Sequence, residues 1–236
     1  MRRYLINSVL NMRDIGGYQN RYGKIIKQNM IVRSNCPTNL SDSDLNYTKS
    51  IGFRNIIDLR NIEELNKKPS SFSTDDYFNN YHIEIIGGRN IPDSSKEVSI
   101  SYIKMLEDNE ENFAKIFRVL KDANEGTIFF CNAGKDRTGV LTALIHMLLG
   151  VDDKDIIANY LLTRVYLSEF LENYIEKSKN YKLREIIIPR EEFMEDFIKR
   201  FKEKYNSIDN YMIKIGITED EIEDIRNKYL EDIIFN

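Results

Sequence analysis

The residues best suited to do chemistry are a cysteine and an arginine on one short segment, Cys131 and Arg137. Between them stand Asn132, Ala133, Gly134, Lys135 and Asp136. A thiol has a pKa of about 8.5, and a helix N-terminus or a neighbouring cation lowers that pKa so that the nucleophilic thiolate forms at neutral pH. A planar guanidinium grips two oxygens of a phosphate at once. The pair therefore predicts nucleophilic attack on phosphorus, followed by hydrolysis of a cysteinyl-phosphate.

The sequence on either side predicts how this pair is held. Residues 126–130 read as a short buried strand, and apolar residues recur at helical spacing from Thr138 to Leu149. A loop between a strand end and a helix start presents backbone N–H groups and the positive end of the helix dipole to an anion. Gly134 lets the backbone close around that anion, and the Thr138 hydroxyl is placed to donate a hydrogen bond to the sulfur.

These residues resemble the protein tyrosine phosphatase superfamily, defined by Cys-x5-Arg, and the inner AGKDRTG resembles a bacterial branch that contains secreted tyrosine and lipid phosphatases of pathogens. The resemblance extends from about Asn11 to Leu230. It is carried by further stretches of the chain: Asn11–Gly17, Arg33-Ser34, Asp58-Leu59-Arg60, Asn159–Thr163 and Tyr211–Thr218. The chain departs from the superfamily at Phe130, where a histidine normally braces the loop, so we expect a less well supported thiolate.

The resemblance also implies roles for single residues. Cys131, Asp136 and Arg137 are the expected catalytic groups, with Asp136 as the general acid. Asp93, in a Pro-Asp turn before the cysteine, is the alternative acid, because better-known members of the superfamily use an aspartate on a mobile loop. Asp58 is the third candidate, but we expect it instead to orient Arg60 or Arg137 from a neighbouring strand end. We expect the substrate to be bound by the loop and by two residues at a neighbouring strand end, namely Asn132, Ala133, Gly134, Lys135, Thr138, Asp58 and Arg60.

The expected function is hydrolysis of phosphotyrosine, with phosphoserine, phosphothreonine or phosphoinositides as further candidate substrates. Lys135 bears on the phosphoinositides, because a flexible ammonium can contact a second phosphate or ring hydroxyls. Two alternatives stay open. A rhodanese-like sulfurtransferase also places a cysteine on an anion-binding loop, and a non-catalytic phosphate-binding module would be consistent with Phe130. No metal or other cofactor is expected, because His82 and His146 form no ligand cluster.

Composition is typical of one compact domain spanning residues 1–236. A net charge of −4 without a dense basic tract gives no reason to expect nucleic acid. No stretch has the ~20 apolar residues of a membrane helix, and the N-terminus is too short in apolar residues for a signal peptide. A chain with two cysteines is consistent with the reducing cytoplasm. The resemblance leaves secretion without a signal peptide open. Cys36 is either an ordinary thiol or a redox partner of Cys131. The sequence leaves the oligomeric state open.

The pattern of elements predicts an α/β fold. Strands are expected at 30–33, 54–59, 81–86 and 127–130, with a helix capped by Ser41 between the first two. Strands that alternate with helices indicate a largely parallel sheet flanked by helices, with the site at the carboxyl ends of the strands. The second half is predicted to be helical, with helices from Asp152 to about 177, from Pro189 to Tyr205, and after the capping box at Thr218. Residues 166–188 are either a lid over the site or a surface hairpin.

Overall fold

The computed structural model describes residues 3–6, 9–87, 92–180 and 183–233. The described ranges contain seven strands in two sheets. They are β1 (Arg13–Asp14), β2 (Lys24–Ile26), β3 (Ile31–Asn35), β4 (Phe53–Asp58), β5 (Asn79–His82), β6 (Gly126–Cys131) and β7 (Leu230–Asp232).

The main sheet has the strand order β1-β3-β6-β4-β5. Its four longer strands run parallel, and the short β1 pairs with β3 in the antiparallel sense. Strand β6 is therefore central, with β3 and β4 on either side. The carboxyl ends of these three strands meet at one edge, because Asn35 is paired with Cys131 and Asp58 with Phe130.

Eleven α-helices lie within the same described ranges. They are α1 (Asp42–Ser50), α2 (Ile62–Lys67), α3 (Val98–Glu107), α4 (Glu110–Asp122), α5 (Asp136–Leu148), α6 (Asp153–Tyr166), α7 (Ser168–Ser178), α8 (Arg184–Ile187), α9 (Glu191–Tyr205), α10 (Ile208–Lys214) and α11 (Glu219–Tyr229).

The two faces of the main sheet are covered unequally. The larger cluster of buried apolar residues packs α3, α4, α5, α9, α10 and α11 on the face that carries Phe129 and Cys131. The smaller cluster joins the N-terminal segment, α1 and residues 72–78 to the face that carries Ile128 and Phe130. Side chains alternate along β6, so each face of the central strand is buried in its own core. Helix α5 is buried along nearly its whole length, which holds the start of the helix rigidly at the end of β6.

The predicted fold class is confirmed: a largely parallel sheet is flanked by helices, and the C-terminal half is helical. Capping boxes begin α1 at Ser41 and α11 at Thr218, as the sequence indicates. Two boundaries are wrong. Strand β5 occupies 79–82 rather than 81–86, and the long helix expected after Asp152 is interrupted at Leu167, which ends α6 and precedes α7.

The predicted lid falls on α7 and α8, with Tyr181 and Lys182 outside the described residues. Leu171 and Ile175 are the buried positions of α7, whereas Phe170 and Tyr174 on its other face are about half exposed. A lid function stays a prediction. Among the helices described here, none has the length and apolar character to cross a bilayer.

Candidate active site

The loop between β6 and α5 starts at the centre of the sheet edge. Cys131 is the last residue of β6, and Asp136 is the first residue of α5. Asp58 is the last residue of the neighbouring strand β4, and Arg33 is the middle residue of β3. The structure thus brings the predicted catalytic segment to the carboxyl ends of parallel strands, where open α/β sheets bind their ligands.

Carbonyl groups of the loop point into the protein. The N–H of Leu59 donates to the Phe130 carbonyl at 2.9 Å, and the N–H of Cys36 donates to the Asn132 carbonyl at 3.0 Å. The amide of Asn11 donates to the carbonyls of Ala133 at 3.0 Å and Gly134 at 3.1 Å. Arg33 adds a bond of 2.7 Å to the Gly134 carbonyl.

This arrangement fixes where the loop's amide groups point. All described peptide bonds are trans, and in a trans peptide the N–H points opposite to the carbonyl of the same unit. The N–H groups of Ala133, Gly134 and Lys135, which follow bound carbonyls of the loop, therefore face away from the supporting residues. Successive N–H groups on the outer side of a loop at a helix N-terminus form an anion-binding nest.

Gly134 is required at the point where the loop lies closest to β3. Its φ of +67° is in the left-handed region, and a Cβ there would lie 2.3 Å from the Ser34 carbonyl oxygen. That oxygen belongs to a central strand and has no room to move. The glycine of the motif thus lets the loop rest directly on the sheet.

The Cys131 sulfur is buried and has a hydrogen-bond donor. Cys131 is 3% exposed, and the hydroxyl of Thr138 donates to its Sγ at 3.1 Å. Thr138 lies in the first turn of α5 and is itself fully buried. A donor at this distance stabilises a thiolate and also assists its departure from phosphorus.

Arg137 is held by a carboxylate that the sequence did not predict. The Nη1 and Nη2 atoms of Arg137 donate to the two carboxylate oxygens of Glu64 at 2.7 and 2.8 Å. Burial lowers the pKa of Arg137, but the hydrogen bonds and charge of Glu64 and the proximity of Cys131 outweigh it and raise the pKa above its ordinary value. The guanidinium is thus charged and oriented.

Glu64 joins the catalytic loop to helix α2. It completes a capping box with Asn61, accepting from the Asn61 N–H at 3.0 Å, and it also accepts from the side chain of Asn132. The sequence signal for the cap, Asn61-x-x-Glu64, is readable. Its link to Arg137 is not, because that contact spans more than seventy positions.

Replacing Glu64 by Gln is expected to reduce kcat/KM for p-nitrophenyl phosphate about tenfold, or about 1.4 kcal/mol. One of the two charge-assisted bonds is lost, since the new amide group opposes the guanidinium. Glutamine still serves a capping box, so α2 should stay folded. The measurement is steady-state kinetics together with the inhibition constant of inorganic phosphate. The exposed neighbour Glu63 supplies the control, Glu63→Gln, and equal kinetics for both variants would contradict the role of Glu64.

Asp136 is bound on one of its oxygens. Its Oδ1 accepts from the hydroxyl of Tyr102 at 2.6 Å and lies 2.9 Å from the Lys135 ammonium. The side chain of Asp136 keeps 23% of its surface exposed, whereas that of Lys135 keeps only 9%. The side chain of Lys135 therefore packs against Asp136 and does not extend into solvent. Asp136 is adjacent to Arg137 and only partly covered, and its role as the general acid stays a prediction.

Asp58 and Arg60 bind each other, and contact of either residue with the substrate stays a prediction. Arg60 is fully buried and donates to both carboxylate oxygens of Asp58 at 2.6 to 3.1 Å. It also donates to the Lys68 carbonyl at 2.6 Å, which fixes the end of α2. The guanidinium lies 5.5 Å from the ring of Phe130. This pair supports the helix that carries Glu64, on the face of the sheet opposite Cys131.

Phe130 does not leave the loop unsupported. Its ring is part of the smaller core, and the loop is braced from below by Asn11 and Arg33 instead. Asn159 accepts from Arg33 at 2.9 Å. Burial lowers the pKa of Arg33 to about 10, so it stays charged at neutral pH. Residues of the N-terminal signature and of α6 thus hold the loop, and the effect of Phe130 on the thiolate stays a prediction.

Cys36 is an ordinary buried thiol. It belongs to the smaller core and Cys131 to the larger, so the two sulfurs lie on opposite faces of the sheet, and both cysteines are unpaired. Burial raises the pKa of Cys36 to about 11. This geometry does not favour the redox pairing considered from the sequence.

The remaining residues considered from the sequence lie elsewhere. Asp93 is exposed and follows residues outside the described ranges, and no contact among the described residues places it at the loop. The ring of His146 is buried against the Ile15 carbonyl, and its pKa is lowered to about 4, mainly by burial. Asp14 accepts from the Gly16 N–H at 2.7 Å, which stabilises the backbone turn that follows β1.

Comparison with known proteins agrees with this geometry. The profile described as "Tyrosine phosphatase family" matches residues 4–231. A "Tyrosine-protein phosphatase" of Nostoc commune is 30% identical over 54% of this chain, and the match covers 46% of that relative. The chain thus spans about half the length of the Nostoc protein. A "Putative tyrosine-protein phosphatase" of Cupriavidus necator is 21% identical over 87% of this chain and 81% of its own length.

Two solved structures are also similar. The catalytic core of Siw14 is 18% identical, covers 87% of this chain and 96% of its own, and gives a TM-score of 0.43. The core catalytic domain of PP-IP phosphatase SIW14 from S. cerevisiae, in complex with citrate, is 22% identical, covers 81% and 93% respectively, and gives a TM-score of 0.36. A profile that matches nearly the whole chain weighs against a rhodanese-like sulfurtransferase. The chain belongs to the tyrosine phosphatase family.

Proposed function

We propose that the protein is a cysteine-dependent phosphatase that hydrolyses phosphotyrosine through a cysteinyl-phosphate intermediate. The observation that carries the proposal is the hydrogen bond of 3.1 Å from Thr138 to the sulfur of Cys131. That bond places a stabilised nucleophile at the base of a loop whose amide groups and Arg137 converge on an anion. A non-catalytic module would have no use for a donor aimed at the sulfur.

In the first step, the Cys131 thiolate attacks phosphorus and the bond to the leaving oxygen breaks. Asp136 gives its proton to that oxygen, so the alcohol departs neutral. Charge on the three remaining phosphoryl oxygens is met by the loop N–H groups and by the guanidinium of Arg137, which Glu64 holds in place. Preoriented donors of this kind need no reorganisation when the transition state forms.

In the second step, a water attacks the cysteinyl-phosphate and the sulfur–phosphorus bond breaks. Asp136, now a carboxylate, takes a proton from the water, which regenerates the acid. Thr138 stabilises the departing thiolate. The nucleophile must be a reduced thiol in every cycle, so we place the activity in a reducing compartment such as the cytoplasm.

Lys135 bears on the choice of substrate. A lipid headgroup with several phosphates would need a cation available beside the loop, and the Lys135 ammonium lies 2.9 Å from Asp136 with little exposed surface. The relatives with curated names are tyrosine-protein phosphatases. Both observations favour phosphotyrosine over phosphoinositides.

Three results are expected of the wild-type protein. It should hydrolyse p-nitrophenyl phosphate in the presence of a chelator, should be inhibited by vanadate, and should prefer a phosphotyrosine peptide in a panel with phosphoserine peptide and phosphoinositides.

Lys135→Ala should lower kcat/KM by a similar factor on every substrate, with the exposed Lys154→Ala as control. A loss at least tenfold larger on phosphoinositides, about 1.4 kcal/mol, would assign Lys135 to a lipid headgroup. Activity that disappears with the chelator would contradict the mechanism.

A further inference from the structure

Two buried tyrosines form a chain of hydrogen bonds that ends on Asp136. We propose that Tyr102, supported by Tyr160, is a positioning residue that holds the carboxyl group of Asp136 with its Oδ2 atom toward the substrate. The inference rests on the proposed function, in which Asp136 is the general acid.

The direction of the chain follows from the number of protons. The Tyr102 hydroxyl donates to Oδ1 of Asp136 at 2.6 Å and lies 2.9 Å from the hydroxyl of Tyr160. A phenol has one proton, and that of Tyr102 is used on the carboxylate. Tyr160 is therefore the donor in the second bond. Bonds that follow one another in this way polarise and strengthen each other in a buried site.

Both hydroxyls stay protonated and can act only through this chain. Burial first, and then the charge of Asp136, raise the pKa of Tyr102 and the pKa of Tyr160 well above the ordinary value for tyrosine. Each residue is 1% exposed. Neither phenol is thus a candidate acid or base itself, since neither reaches the substrate or titrates near neutral pH.

Core packing fixes the rings that carry the two hydroxyls. The ring of Tyr102 on α3 packs edge-on against Phe197 of α9, with centroids 5.9 Å apart. The ring of Tyr160 on α6 lies against Gly139 of α5, where a Cβ would be 3.2 Å away. Three helices thus determine where the Tyr102 hydroxyl stands relative to the start of α5.

The two carboxylate oxygens of Asp136 differ in their contacts and in their proposed roles. Tyr102 and the Lys135 ammonium both approach Oδ1, at 2.6 and 2.9 Å. A proton on Oδ1 would meet two donors, so the proton of the acid stands on Oδ2. The charged and titratable groups that face Asp136 are Tyr102 from α3, Tyr160 from α6, and its chain neighbours Lys135 and Arg137.

Removing the Tyr102 hydroxyl should therefore change proton transfer itself. Donors to a carboxylate stabilise its ionised form, the form that remains once the proton has been given. Without Tyr102, Asp136 should lose this stabilisation and its fixed orientation. Reactions whose leaving group needs a proton should therefore slow, and reactions whose leaving group needs none should not.

The test compares two aryl phosphates, one with phenol and one with dinitrophenol as leaving group. Tyr102→Phe is expected to lower kcat/KM about tenfold for phenyl phosphate and less than twofold for dinitrophenyl phosphate, whose leaving group departs without a proton. Tyr160→Phe should give a smaller loss in the same direction. The matched control is Tyr211→Phe, because Tyr211 is equally buried and its hydroxyl has no hydrogen-bond partner in the described chain.

Asp136→Asn separates this inference from the proposed function. If that variant shows no dependence on the leaving group, the role of Asp136 as the acid is wrong. If it does, and Tyr102→Phe behaves like Tyr211→Phe, only the positioning role is overturned. An equal loss on both substrates would likewise overturn it. In the double variant, Tyr102→Phe should add nothing to the loss caused by Asp136→Asn.

Discussion

Cys131→Ser is expected to lower kcat at least ~10³-fold relative to wild type, while phosphate and vanadate still bind. An alcohol at this position is not ionised at neutral pH, and removal of a nucleophile costs most of the rate that a catalytic unit supplies. The anion site itself should persist, because its amide groups and the pair of Arg137 and Glu64 do not depend on the sulfur.

The chain offers a matched control for this substitution. Cys36 is equally buried, lies at the end of the neighbouring strand and belongs to the other core, so Cys36→Ser should leave turnover close to that of wild type. The measurement is kcat for p-nitrophenyl phosphate, with phosphate binding by calorimetry. Acid quenching during turnover should trap phosphate on Cys131 in the wild-type protein only. Turnover by Cys131→Ser above one per cent would require another nucleophile.

The predictable part of the site is the part encoded locally. The strand, the loop and the helix N-terminus are contiguous, so the spacing from Cys131 to Arg137 already specifies a nucleophile and an anion-binding cation on one turn. The same holds for the Thr138 hydroxyl, seven positions after the sulfur it contacts at 3.1 Å. Hydrophobic periodicity likewise gives the order of strands and helices, because it depends only on burial.

The residues that orient this turn come from distant parts of the chain. Glu64 is predictable as a helix cap but not as the partner of Arg137, and Tyr102 and Tyr160 look like ordinary core aromatics until three helices bring them to Asp136. Arg60 shows the opposite case. An arginine at a strand end beside a phosphate site suggests substrate binding. In the structure, however, the guanidinium of Arg60 donates its hydrogen bonds to the Asp58 carboxylate and the Lys68 carbonyl.

The N-terminal signature has a physical explanation that its sequence alone does not give. Arg13 and Arg33 could belong either to an ion pair or to the rim of the anion site. In the structure both are fully buried. Arg33 donates a hydrogen bond to the Gly134 carbonyl of the loop. Arg13 donates to the side-chain oxygen of Asn11, and the side-chain amide of Asn11 donates to the carbonyls of Ala133 and Gly134. Positive charge beneath the loop draws the carbonyls inward, and the amide groups are thereby left for the anion.

The general acid is the remaining catalytic role that mutation can assign to a residue. Asp136→Asn is expected to lower kcat/KM by about 10² to 10⁴ for a phosphotyrosine peptide, the usual contribution of general acid catalysis, and to flatten the basic limb of the pH profile. An amide cannot give a proton to the leaving oxygen, yet it keeps the size of the side chain and an acceptor for Tyr102. The fold should therefore be preserved, which thermal unfolding would check.

Leaving-group dependence makes the assignment specific. Dinitrophenyl phosphate, whose leaving group needs no proton, should restore most of the rate of Asp136→Asn, whereas a misplaced loop would be slow on both substrates. Asp93→Asn is the competing variant, and it should match wild type because Asp93 is exposed and no described contact brings it to the loop. If instead Asp93→Asn shows the leaving-group dependence and Asp136→Asn does not, the proton comes from the segment before α3, and the carboxylate at the start of α5 serves only to hold Lys135 and Tyr102.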